Sequence, residues 1–250
     1  MDSAAWSLRP TLLFAAAYLL DGVLHEVAHA LAALVLGVPA VLFQYRLDVR
    51  PEDAAPWQHA VISAAGPLAS GAFAVLCAWG YRRAAGRPGQ LMLLYLAALA
   101  AMMLFGNMMS EVGDFARVED ALDLLPAVRI AMTIVGFAGL VAVLALAGRE
   151  LRTWFVGDVS KASGVLLFVL FPAVAGTTLA EMVSQPMPEA FTLARFSEGA
   201  IWIAAAVAAW NTRLIPLPDR RPQWSVVDAV GIAAAFGAVR VLVPGVIVLP

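Results

Sequence analysis

The chain reads as an all-α polytopic membrane protein with about six to seven transmembrane helices, a three-helix core and a short membrane-surface β segment. Composition is the first ground for this. Of 250 residues, 62% are hydrophobic and 14% charged, and the mean hydropathy is +0.84. A soluble domain is about half apolar and about a quarter charged, so a chain of this kind cannot hide its apolar surface from water. The second ground is recurrence: apolar stretches near or above the roughly 20 residues that cross a bilayer repeat along the sequence. The expected spans are 10–37, 58–80, 91–112, 126–147, 162–184, 196–211 and 226–249. The sixth is short and the seventh is interrupted by Arg240 and Pro244, so six spans plus a re-entrant segment is the alternative.

The first span begins behind Arg9 in the manner of a secretory signal. Its apolar run continues past Asp21-Gly22, which predicts an uncleaved helix. Within it, His25-Glu26-Val27-Ala28-His29 places two of the three histidines four residues apart. On a helix, positions i and i+4 share a face, so both imidazoles can bind one metal ion, with Glu26 placed to activate a water. Ionisable groups at membrane depth are costly and point to function. Asp21 lies one turn before His25, where a carboxylate can take the free N–H of a ligating imidazole.

The loop that follows, 38–57, is the longest. Its segment Val41–Val49 reads VLFQYRLDV, with Val41, Phe43, Tyr45, Leu47 and Val49 alternating against mostly polar neighbours, which predicts a half-buried strand lying at the membrane surface. The second span presents His59, Ser63, Gly66, Pro67 and Ser70 along one face. This is a small and polar stripe that permits close helix approach, and the proline frees a backbone carbonyl. His59 is read as interfacial. The third span ends in Gly106-Asn107-Met108-Met109-Ser110-Glu111-Val112-Gly113-Asp114-Phe115. A zinc hydrolase needs a third protein ligand. Asp114 is the best candidate by depth, since the first and third spans run the same way through the bilayer and their levels differ by roughly 5–10 Å at 1.5 Å per residue. Glu111, one turn earlier, is the rival. Among the later spans, Thr177, Thr178 and Glu181 form a lesser polar cluster, and Arg240 is placed either to snorkel or to pair with Asp228.

Several classes fall away. A net charge of −2 with no basic run beyond an Arg pair argues against a nucleic-acid partner. Cys77 is alone, which excludes an intramolecular disulfide and a cysteine-based zinc site. No loop has room for a soluble domain. One integral membrane domain is therefore expected over 1–250, with a catalytic core at 10–120 and additional transmembrane helices at 121–250. Lysine and arginine favour the N-terminus and the loops 81–90, 148–161 and 212–225, which predicts a cytoplasmic N-terminus for seven spans.

HEVAH in a first core span, Ala65-Gly66-Pro67 in the second and an Asp near the end of the third together resemble the site-2 protease family of intramembrane zinc metalloproteases, over about residues 10–120. The resemblance implies His25, His29 and Asp114 as ligands of one zinc ion and Glu26 as catalytic base. It also implies Asn107 as a donor to the oxyanion, and strand addition of an unwound, single-span membrane protein substrate to the loop carrying Phe43, Tyr45 and Leu47. It further implies a cell (inner) membrane location and an HExxH helix entering from outside, opposite to the charge count. The chain departs from the family pattern in two places. Asn107 lacks a following proline, and Gly113-Asp114-Phe115 stands where Leu-Asp-Gly is usual. The rivals are a zinc-binding membrane scaffold without proteolysis and a metal or proton transporter. The latter needs polar residues continuing through spans that here are almost wholly apolar.

Overall fold

A computed structural model describes residues 3–43, 46–50, 53–84, 89–154, 160–184, 202–212, 225–242 and 246–248. Five helices in it are long and apolar enough to cross a membrane, which makes this an integral membrane protein. The first is α1 (Ser3–Val35), followed by a hairpin of β1 (Ala40–Phe43) and β2 (Arg46–Asp48). Next come α2 (Pro56–Arg83), α3 (Gln90–Met109), the short α4 (Asp114–Ala121) and α5 (Pro126–Arg152). α6 (Lys161–Val165) passes through a π-helical turn (Leu166–Leu170) into α7 (Phe171–Ser184). Of the sixth expected span the structure describes Trp202 and the nine residues of α8 (Ile203–Asn211), with 196–201 outside the described residues. The seventh appears as the 17-residue α9 (Val226–Leu242) and then a strand, β3 (Val246–Val248).

α1 is the axis of the bundle. It packs against α2, α3, α7 and α9, and its run Leu13–Ala17 is inaccessible or nearly so. Phe14 lies edge-on to Tyr95 of α3 and to Trp202 just before α8, with centroids 5.3 and 5.2 Å apart, near the favoured aromatic geometry. The Tyr95 hydroxyl donates to the Phe168 carbonyl (2.9 Å) inside the π turn, where the helix's own ladder is disrupted. α5 packs on α3 and α8 and leaves Ile130, Ile134, Phe137 and Val141 exposed at helical spacing, a stripe suited to lipid tails.

A buried ion pair ties the end of the chain to α1. Arg9 donates through Nε and Nη2 to Asp228 Oδ2 (3.1 and 2.8 Å), with the two side chains 6% and 0% exposed. Ser225 and Asp228 exchange backbone N–H and side-chain bonds at the start of α9, a reciprocal capping box. The expected pairing of Asp228 with Arg240 does not occur. Twelve residues separate them on one helix, about 18 Å of rise. Asp228→Ala strands the Arg9 charge, and a loss of about 3–5 kcal/mol is expected, read as a lower unfolding midpoint in detergent; an unchanged midpoint refutes it. Of the lesser polar cluster, Thr177 and Thr178 donate to the carbonyls of Ala173 and Val174 on their own helix, and the Glu181 side chain lies outside the described residues.

The loop after α1 is strand-like, but as a hairpin; its phase is opposite to the expected one in β1, whereas Leu47 and Val49 are covered as expected. Val41 pairs with Asp48, Leu42 with Leu47 and Phe43 with Arg46. The chain reverses between Phe43 and Arg46, so Leu42 and Leu47 share a face although they are five apart. It is Ala40 and Leu42 that are buried, while Val41 and Phe43 are only partly covered. Leu42 and Leu47 pack on Val23, Val27 and Ala30 of α1. Phe43 instead carries the Arg46 guanidinium over its ring at 5.1 Å. Tyr45 lies outside the described residues. β3 pairs antiparallel with the other side of β1, Ala40 opposite Val248 and Leu42 opposite Val246, giving the order β2-β1-β3.

Candidate metal centre

Two stripes of four-residue spacing meet where α1 and α2 cross. α1 contributes Asp21, His25 and His29; α2, running the other way, contributes Ser70, Gly66 and Ile62. Asp21 faces Ser70, whose hydroxyl donates to Oδ1 at 3.2 Å. His25 Nδ1 is 3.3 Å from the same hydroxyl. His29 Nδ1 is 2.6 Å from the Ile62 carbonyl and 3.3 Å from the Gly66 nitrogen. The shorter contact is that of an imidazole N–H donating to a carbonyl. The carbonyl in use is that of Ile62, one residue before the Ser63 carbonyl that Pro67 deprives of its helical donor.

Gly66 lies between the two rings. A methyl group there would come within 2.7 Å of His25 Nε2 and overlap the His29 ring. Contacts so short force the rings or the helix to shift, so this placement of α2 against both imidazoles requires a glycine.

The third side chain arrives through a break. α3 stops at Met109, residues 110–113 leave the helix, and Asp114 opens α4. This break removes the difference in depth expected for a continuous third span. Asp114 Oδ2 lies 2.9 Å from His25 Nε2 and 3.4 Å from His29 Nε2. Asn107 shapes the bend: its Oδ1 accepts from the Asp114 N–H (2.9 Å), and its Nδ2 donates to Met103 O (3.0 Å). The carboxamide expected at an oxyanion is thus engaged at both ends in holding Asp114. Gly113 passes so close that an added methyl would lie 2.7 Å from Asn107 Oδ1. Glu111 is exposed and outside the group that Asp114 joins. His59 is also outside it.

The donor atoms of His25, His29 and Asp114 all lie within 4.8 Å of one another, and this group can hold a metal ion. The chemistry of the set supports it. With Nδ1 of each ring turned to an oxygen of α2, each Nε2 faces the Asp114 carboxylate, an approach that a proton on Nε2 or a metal ion can hold. Tetrahedral zinc bonds of about 2.0–2.1 Å place ligand atoms about 3.3 Å apart, between the two separations to Asp114 Oδ2.

Glu26 projects about 100° around α1 from His25. Its direction falls between the histidine face and the face formed by Val23, Val27 and Ala30, on which the hairpin packs. Among the described residues its carboxylate makes no hydrogen bond or ion pair. The charged groups facing it are His29, Asp114, Arg117 of α4 and Asp48 of β2. Arg117, largely exposed, stands 3.6 Å from Asp114 Oδ1. Ser70 was visible in the sequence only as one member of a small, polar stripe. Arg117 and Asp48 carried no signal there, because only the break after α3 and the reversal of the hairpin bring them to Glu26. No protein-family model, curated protein or solved structure matches the chain.

Proposed function

We propose that this protein is a zinc-dependent intramembrane endopeptidase, similar in its core to the site-2 proteases, that cleaves membrane-spanning, single-span proteins. The observation that carries this reading is the convergence of ligand-type atoms of His25, His29 and Asp114 beside the Glu26 carboxylate, which has no partner among the described residues. His25, His29 and Asp114 would hold the ion; two nitrogens and one oxygen are a common set for catalytic zinc with a position left open. Zinc bound there would supply a water of near-neutral pKa and polarise a substrate carbonyl. Glu26 is the base. It is next in sequence to one ligand, lies beside the other two and is free to accept a proton and return it to the leaving amine. A scaffold has no need of such a carboxylate.

A transmembrane helix shields its own amides, so the segment to be cut must first be extended. The hairpin lies beside Glu26 and is suited to hold it. Among the described residues β2 pairs only with β1, which leaves its outer edge open to strand addition. Phe43, on the face away from α1, is the described side chain best placed to meet a substrate. Leu47 anchors the sheet. Replacing Phe43–Asp48 by a flexible loop of equal length is expected to leave bound zinc unchanged and to lower cleavage on the order of 10²-fold, the cost of a mispositioned substrate. Equal turnover refutes the strand-addition role.

The reading itself is tested on purified protein in lipid nanodiscs, by metal analysis and by cleavage of single-span reporter proteins. One zinc per chain and cleavage abolished by a chelator are expected. Absence of metal, or cleavage indifferent to the chelator, overturns it.

A further inference from the structure

We propose that Ser70 is a positioning residue that couples the buried carboxylate of Asp21 to His25 and so fixes the ring nitrogen that His25 offers to the metal. This inference rests on the metal reading above and names how one ligand is held. Asp21 stands one turn before His25 on α1, where a direct carboxylate–imidazole bond was the simplest expectation. The structure interposes a hydroxyl instead. Ser70 Oγ lies 3.2 Å from Asp21 Oδ1 and 3.3 Å from His25 Nδ1. Asp21 and Ser70 are 2% and 1% exposed, so bulk water does not compete with their contact.

The hydrogen positions follow from the groups. Ser70 Oγ donates to Asp21 Oδ1, and with Asp21 ionised it has no other course, since a carboxylate only accepts. The Ser70 oxygen then presents its lone pairs to His25, whose Nδ1 must carry the hydrogen between them. The remaining lone pair is on Nε2, the atom 2.9 Å from Asp114. The two histidines are thus held by different devices from the same helix: a backbone carbonyl for His29 and a relayed carboxylate for His25. A backbone carbonyl survives any substitution, whereas the relay depends on two side chains. Partners of this kind typically contribute 10- to 100-fold in metal affinity.

The experiment measures zinc affinity by chelator competition, and the visible spectrum of the cobalt-substituted protein, for the full chain in detergent. Ser70→Ala and Asp21→Leu are each expected to weaken zinc binding about 10- to 100-fold and to alter the cobalt bands. The double variant is expected to be no weaker than either single one, because the two residues act as one unit. Ser70→Thr, which restores the hydroxyl, is expected to recover affinity and spectrum. A merely structural serine would lower the unfolding midpoint of the metal-free protein and leave the cobalt bands in place. Wild-type affinity in Ser70→Ala, or additive losses in the double variant, overturns the relay alone. A wild-type protein that binds neither zinc nor cobalt overturns the metal reading and the relay with it.

Discussion

Gly66→Ala is expected to abolish zinc binding, and with it cleavage, while leaving the helix bundle folded. The added methyl group would sit within 2.7 Å of His25 Nε2 and against the His29 ring, inside the space a metal shared by those nitrogens would fill. Relief requires the imidazoles to turn or α2 to move away, and either parts the rings from the two groups on α2 that hold them, Ser70 and the Ile62 carbonyl. Helix propensity acts in the opposite direction, since alanine inside a helix is favoured over glycine by roughly 0.5–1 kcal/mol. The variant therefore separates packing from chemistry. Its metal-free unfolding midpoint is expected near or above that of the wild type, with zinc content near zero by metal analysis. Stoichiometric zinc in this variant would show that the metal is not held between α1 and α2.

Glu26→Gln is expected to give the complementary result: zinc retained at one per chain and cleavage lowered on the order of 10²- to 10⁴-fold, the usual contribution of a general base. Glutamine matches the size of glutamate, and Glu26 makes no hydrogen bond or ion pair among the described residues, so the exchange leaves the packing of α1 intact. The variant should also retain substrate, because binding falls to the hairpin and not to the base. Crosslinking in membranes should then accumulate single-span proteins on Glu26→Gln. Undiminished cleavage by a zinc-loaded Glu26→Gln protein would remove Glu26 from the chemistry.

How much of this was readable in the sequence depends on the range over which each feature is determined. The HExxH face was legible because a helix fixes the direction of residues four apart. Asp114 was legible through depth along parallel spans, but the helix break that brings it level was not; it follows from Ser110–Gly113 leaving the helix and from Asn107 receiving the Asp114 N–H. The hairpin was legible as strand and in phase over Leu47 and Val49, but not over Val41 and Phe43, because alternation cannot be followed through a reversal. A carbonyl has no residue type, so nothing in the sequence announced Ile62 as the partner of His29. The Arg9–Asp228 pair joins positions 219 apart, beyond any local pattern. The Val246–Val248 strand was absorbed into an expected seventh span because a short apolar run has no period that separates strand from buried helix.

β1 is the middle strand of its sheet, and its two neighbours are made at very different times. β2 follows within one hairpin, whereas β3 lies some two hundred residues downstream. At a synthesis rate of about 5–20 residues per second, roughly 10–40 s separate the two pairings. By then His25, Glu26, His29 and Asp114 have all left the ribosome. A nascent chain thus carries His25, Glu26, His29 and Asp114 while the sheet beside Glu26 still has two strands, and β3 completes that sheet only later.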